Sequence, residues 1–325
     1  MFVGILGLAT WRACGSSSSK APATSTGILH TAVLRDGFAA MEDAGDRHVV
    51  EVDTNGTLRS RRAIPVSGEA RVMGTRQGVA VGWLDNNKVK LALVTGDGKL
   101  GEPSVWGRDA RMLCEGAASN DQRFGIGWIE KDGRVWFVHG PTAAAMEVVS
   151  LPQQGVGAEW CSLASAGDHI ALLFREGSKI YINMCSKKEC SGLVAPLPLD
   201  PRHQLLAIGC SKESCMLAFR DQQANTWIGQ MGVTGKKWWS KQLTEAASST
   251  EISIAAIGKK SMAVGFVAKE GATVLRVDNK KGVMERLWAD PSSTEVPSVA
   301  WAKDQLFVAI PEGGGVRHEV LAAPN

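Results

Sequence analysis

A short apolar run ending in a large side chain returns about every 45 residues, and a period of this length constrains the fold more than any single segment does. The copies read Val79-Ala80-Val81-Gly82-Trp83, Phe124-Gly125-Ile126-Gly127-Trp128, Ile170-Ala171-Leu172-Leu173-Phe174, Met216-Leu217-Ala218-Phe219, Met262-Ala263-Val264-Gly265-Phe266 and Leu306-Phe307-Val308-Ala309-Ile310. Their last residues stand 45, 46, 45, 47 and 44 residues apart. A weaker first copy, Phe38-Ala39-Ala40-Met41, ends 42 residues before Trp83. The chain therefore holds seven units.

Each unit has room for four strands. Between Glu69 and Gly107, Ala70-Arg71-Val72-Met73 reads as a first strand and Val79 to Trp83 as a second. Asp85-Asn86-Asn87 turns the chain into a third strand, Val89 to Val94, and Gly96-Asp97-Gly98 into a fourth near Ser104-Val105-Trp106. Asn, Asp and Gly tolerate the positive φ that tight hairpins require, so these turns have a mechanism. Arg134 to Val138, Lys179 to Asn183 and Ala272 to Val277 repeat the third strand. Four short strands per 45 residues is the size of a β-propeller blade. The expected fold is all-β, a seven-bladed propeller of four-stranded antiparallel blades.

The last unit, from Val296 to Asn325, has room for only three strands. Thr26-Gly27-Ile28-Leu29-His30, ahead of the first unit, is the candidate for its missing outer strand. That arrangement would close the ring and cover two open sheet edges. Residues 26–325 then form one propeller domain, preceded by a signal-like segment over 1–13 and a tether over 14–25. Scattered Lys and Arg and a net charge of +3 exclude a nucleic-acid footprint.

Phe2 to Ala9 is a short apolar run, followed by Trp11-Arg12-Ala13-Cys14 and the polar stretch Gly15-Ser16-Ser17-Ser18-Ser19-Lys20-Ala21-Pro22. This segment resembles a bacterial lipoprotein signal peptide, although Trp11 and Arg12 stand where such signals carry small or apolar residues. The resemblance implies cleavage before Cys14 and its acylation by fatty acids such as palmitate, giving a membrane anchor without a spanning helix. The alternative leaves Cys14 a free thiol. At the level of architecture the whole chain resembles exported bacterial propeller lipoproteins, which implies an extracytoplasmic, membrane-anchored place on the cell envelope.

Six cysteines remain. Cys185 and Cys190 flank one hairpin loop, and Cys210 and Cys215 another in the next unit, on the same face of a propeller. Each pair can close its own loop, and pairing across the two loops or a zinc site are the other options. Cys114 and Cys161 occupy equivalent places on successive innermost strands, 14 residues before Trp128 and 13 before Phe174. A bridge there would pin two blades at the channel. An even set of six points to disulfides and an oxidising compartment.

No residue set amounts to a reaction, a cofactor site or a metal site. The histidines His30, His48, His139, His169, His203 and His318 lack ligand spacing, and Asp53-Thr54-Asn55-Gly56-Thr57 reads as a hairpin turn. Eleven Trp against one Tyr is unusual usage, but most fall at repeat positions where blades pack. Trp160 and Trp301, on inner strands, are candidates for the channel mouth, together with Glu159 and Glu251. Glu115, Arg71, Arg111 and His203 lie in similar places. The expected function is a cell-envelope binding or scaffold module presenting one face to a protein partner. The alternative is a carbohydrate-binding protein or carbohydrate-active enzyme, a glycosidase or lyase, using the channel mouth.

Overall fold

Second strands that are apolar without interruption cannot lie on a sheet with one wet face; both faces must be covered. The computed structural model shows how. It describes residues 30–322, apart from 45, 96, 98, 120–122, 150, 152–156, 187–188, 196–198, 201, 234–237, 247–250 and 313–314. Seven antiparallel sheets follow one another as simple meanders, spanning 30–63, 70–106, 110–148, 158–195, 204–242, 253–290 and 298–322. They are the blades of a β-propeller, numbered here 1 to 7. Six have four strands and blade 7 has three among the described residues.

Every blade is sandwiched between two others, so alternate side chains of a strand serve different interfaces. Val79, Val81 and Trp83 join Leu34 and Met41 of blade 1, whereas Ala80 packs toward Phe124 and Ile126 of blade 3. The buried apolar residues divide into seven clusters, and each cluster bridges one pair of neighbouring blades. The seventh joins blade 7 to blade 1. There Phe38 and Phe307 stack with ring centroids 4.9 Å apart, and Thr31 Oγ1 donates to the Val299 carbonyl at 3.3 Å.

One expectation changes here. His30 does not belong to an outer strand of blade 7; it opens the inner strand of blade 1 (His30–Leu34) and pairs with Met41. The rest of the 26–30 segment, the Cys14 region and the tether lie outside the described residues. The third strand of blade 7, Gly315–Ala322, has no further partner among the described residues. Among the described residues, packing between blades 7 and 1 joins the ring. The Asp53 to Thr57 segment is the expected turn, with the Asp53 carboxylate accepting from the amides of Asn55 and Thr57.

All six expected cysteines form disulfides, Cys185–Cys190, Cys210–Cys215 and Cys114–Cys161. The first two close their own hairpins, which settles the choice against cross-pairing and zinc. Among the described residues no helix is long and apolar enough to cross a membrane.

Truncating Phe307 to Ala removes one of the two stacked rings that join blades 7 and 1. The fully buried site predicts a loss of about 3–5 kcal/mol of stability, to be read as a lowered midpoint in chemical denaturation at unchanged secondary-structure content.

Candidate functional site: the central channel

The seven inner strands surround a cavity of about 1140 Å³ open to solvent. Strand register places one residue of each inner strand at a common level. From blade 1 to blade 7 these are His30, Arg71, Glu115, Ser162, Ala207, Ser253 and Ser298, by their pairing with equivalent second-strand residues. At this level charge is confined to blades 1 to 3, and the remaining blades offer small side chains. The channel thus has one charged wall at this level; Asp168, Lys212, Lys259 and Lys303 line it elsewhere.

A β-bulge builds the centre of that wall. Cys114 and Glu115 together face Gly127 across the sheet of blade 3, and an extra residue of this kind re-aims the side chains it carries. Gly127 permits it, because a Cβ there would meet Cys114 Sγ and Leu163 Cδ1 at 3.0 Å each. Glu115 Oε2 lies 2.9 Å from His30 Nδ1, and its Oε1 lies 3.4 Å from Arg71 Nε. Arg71 in turn donates to Glu69 Oε1 at 2.7 Å and to the Ala70 carbonyl at 2.9 Å. Glu69 Oε2 accepts from the Leu113 amide at 3.0 Å, which ties the network back to blade 3.

Burial within the ring opposes ionisation of Glu115. The charges of His30 and Arg71, with the hydrogen bond from His30, outweigh it and hold the carboxyl at about 2. The side chain keeps 43% of its surface open to the channel, so channel water screens these charges. An acid held ionised cannot donate a proton at neutral pH, whereas a glycosidase acid requires a raised value. Glu115 is an acceptor, suited to hydroxyl or cationic donors.

The disulfide between Cys114 and Cys161 lies beside this group. Its Cα atoms are 5.0 Å apart, and its two cysteines are chain neighbours of Glu115 and of Trp160. Trp160 lines the channel and also packs, partly buried, against the cluster between blades 4 and 5. A carboxylate and a partly open indole are thus held on adjacent strands by a covalent bond.

The other candidates scatter. Trp301 lines the channel but packs toward blade 6. It stands three residues past the common level and Trp160 two before it, so the two indoles lie about 16 Å apart along the strands at ~3.3 Å per residue. They flank opposite ends. Glu159 occupies a second bulge, between the pairs Ala158–Glu176 and Trp160–Arg175, and is exposed. Glu251 precedes the inner strand of blade 6 (Ser253–Ile257) at the end where Trp160 lies. Neither carboxylate lines the channel. Arg111 reaches from blade 3 to the Ala158 carbonyl, and His203 stacks on Phe219; both serve packing.

His30 is the residue that sequence reading places elsewhere. A signal existed: it stands eight residues before Phe38, as Arg71 stands eight before Val79.

No protein-family model matches this chain, and no curated protein matches it. Among solved structures, the BP39L lectin from Burkholderia pseudomallei is 14% identical, with 91% of this chain and 96% of that chain covered and a TM-score of 0.62. The WD40 domain of Toxoplasma gondii coronin is 13% identical over 90% of this chain and 80% of its own, with a TM-score of 0.59. The polysaccharide lyase Uly1 is 9% identical over 91% and 90%, with a TM-score of 0.57. Likenesses at this identity establish the propeller fold.

The depressed Glu115 value has a consequence for stability. Ionised Glu115 contributes above its unfolded value of about 4.5, and the contribution is lost as pH falls toward about 2. In Glu115→Gln this part of the acid limb flattens, measured as denaturation midpoint against pH.

Proposed function

We propose that the protein is an extracytoplasmic binding module whose central channel takes a carbohydrate through Glu115 and Trp160. The observation that carries this reading is that Glu115, held ionised, and Trp160, partly open, line one channel from neighbouring inner strands that the Cys114–Cys161 disulfide joins. Carboxylate oxygens accept from paired sugar hydroxyls, and an indole covers the apolar face of a sugar ring. Holding both before the ligand arrives lowers the ordering cost of binding. The propeller fold is one that a lectin and a polysaccharide lyase also use.

Three disulfides suit an oxidising compartment. Acylation at Cys14 would keep the module on the envelope. The reading in which one face scaffolds an envelope protein has its own support. Both hairpin disulfides close loops on one face, where the inner strands end, and a stiff face suits a protein partner.

The test is a screen of the oxidised full chain against an immobilised glycan panel, followed by titration of the best ligand. Glu115→Gln and Trp160→Ala are each expected to weaken binding by about tenfold or more, in line with the loss of a charged hydrogen bond or a stacked ring. Trp301→Ala, at the other end, is expected to leave it unchanged. A panel without ligands, with stoichiometric capture of an envelope protein instead, overturns the carbohydrate reading in favour of the scaffold.

A further inference from the structure

On the face where the inner strands end, loops of blades 5 and 6 bring five lysines together. Lys212 lies in the hairpin that Cys210 and Cys215 close. Lys259 and Lys260 occupy the first hairpin of blade 6, and Lys280 and Lys281 its third. All five are exposed.

The two hairpins of blade 6 are bound into one unit by Asn279, which is buried. Its amide donates to the Lys260 carbonyl at 2.8 Å, and its Nδ2 to Ser214 Oγ in blade 5 at 3.2 Å and the Lys259 carbonyl at 3.4 Å. Its own carbonyl accepts from Trp239 Nε1 at 3.0 Å. Asp278 is turned inward, its carboxylate accepting from the amides of Lys280 and Lys281 at 2.9 and 2.7 Å. Lys212 pairs with Asp168 at 3.8 Å, and exposed Glu213 follows it in the hairpin. Among the described residues no acidic group pairs with Lys259, Lys260, Lys280 or Lys281. The fold holds these like charges together, and of the five only Lys212 has an acidic partner among the described residues.

We propose that this rim is a docking surface for an anionic lipid bilayer. Two features favour a membrane over a soluble acidic partner. The cations are all lysines, point charges that suit a diffuse anionic surface and lack the planar fork that pairs bidentately with carboxylates. Beside Lys281 and Gly282 stands Val283, 58% exposed and the most exposed large apolar side chain among the described residues. An apolar side chain at the tip of a basic loop can enter the interfacial region while the lysines remain among the headgroups. This contact would be separate from any anchor at Cys14 and would set which face the propeller turns toward the membrane.

The test uses the full chain with Cys14→Ala, so that no acyl chain contributes, and vesicles of phosphatidylcholine with about one-third phosphatidylglycerol. Cosedimentation is expected with these vesicles, not with pure phosphatidylcholine, and it should fade as salt rises. Reversing four rim lysines (Lys259→Glu, Lys260→Glu, Lys280→Glu, Lys281→Glu) is expected to weaken binding by about a hundredfold. Reversing Lys88, Lys179 and Lys269, exposed on the opposite face, should leave it intact. Val283→Trp should tighten vesicle binding without changing retention on heparin. Equal loss from the two faces overturns the proposal. So does binding to heparin alone, or no binding to anionic vesicles.

Discussion

Each blade of this protein is apolar on both faces, and that constraint governs everything else in the structure. A row of such sheets has two exposed apolar ends, whereas a ring has none. Seven buried clusters serve seven interfaces, and the seventh, with Phe38 stacked on Phe307, joins blade 7 to blade 1. Once closed, the ring leaves its inner strands the only place where side chains from several blades converge on shared solvent. Inner-strand residues at the common level then face one another across a channel whether or not the sequence relates them.

That placement is what gives the charged wall its character. His30, Arg71 and Glu115 come from three blades, and each has partners the others supply. Arg71 lies between Glu69 and Glu115, so the cation is neutralised while the Glu115 carboxylate keeps an open side. The bulge at Cys114 and Glu115 accompanies a carboxylate that meets His30 and Arg71, and the adjacent disulfide ties its strand to the one that carries Trp160. The result is an ionised acceptor in an open channel that Trp160 also lines.

Much of the fold was legible in the residues. The second strands announce themselves because burial on both faces excludes polar residues over four or five positions. Cys114 and Cys161 could be matched across blades because equivalent places on neighbouring inner strands lie within reach of a disulfide. The site was harder to read. A bulge such as the one at Glu115 shifts the register by one residue with no local marker, and the level of Trp160 relative to Trp301 emerges only when register is counted in every blade. His30 belongs to blade 1 rather than blade 7, and Thr26 to Leu34 offers only Gly27 as a marker between an outer and an inner strand. The lysine rim brings together loops of two blades, distant in sequence, which only the closed ring makes neighbours.

The disulfide map tests this account most directly, because the seating of blade 3 on blade 4 and the placing of Glu115 and Trp160 on linked strands both depend on it. Proteolysis of the unreduced protein with mass spectrometry of the linked peptides should return Cys114–Cys161, Cys185–Cys190 and Cys210–Cys215. Any link between the two hairpin loops, or Cys114 and Cys161 recovered as free thiols, would contradict both the seating of the blades and the site built on it.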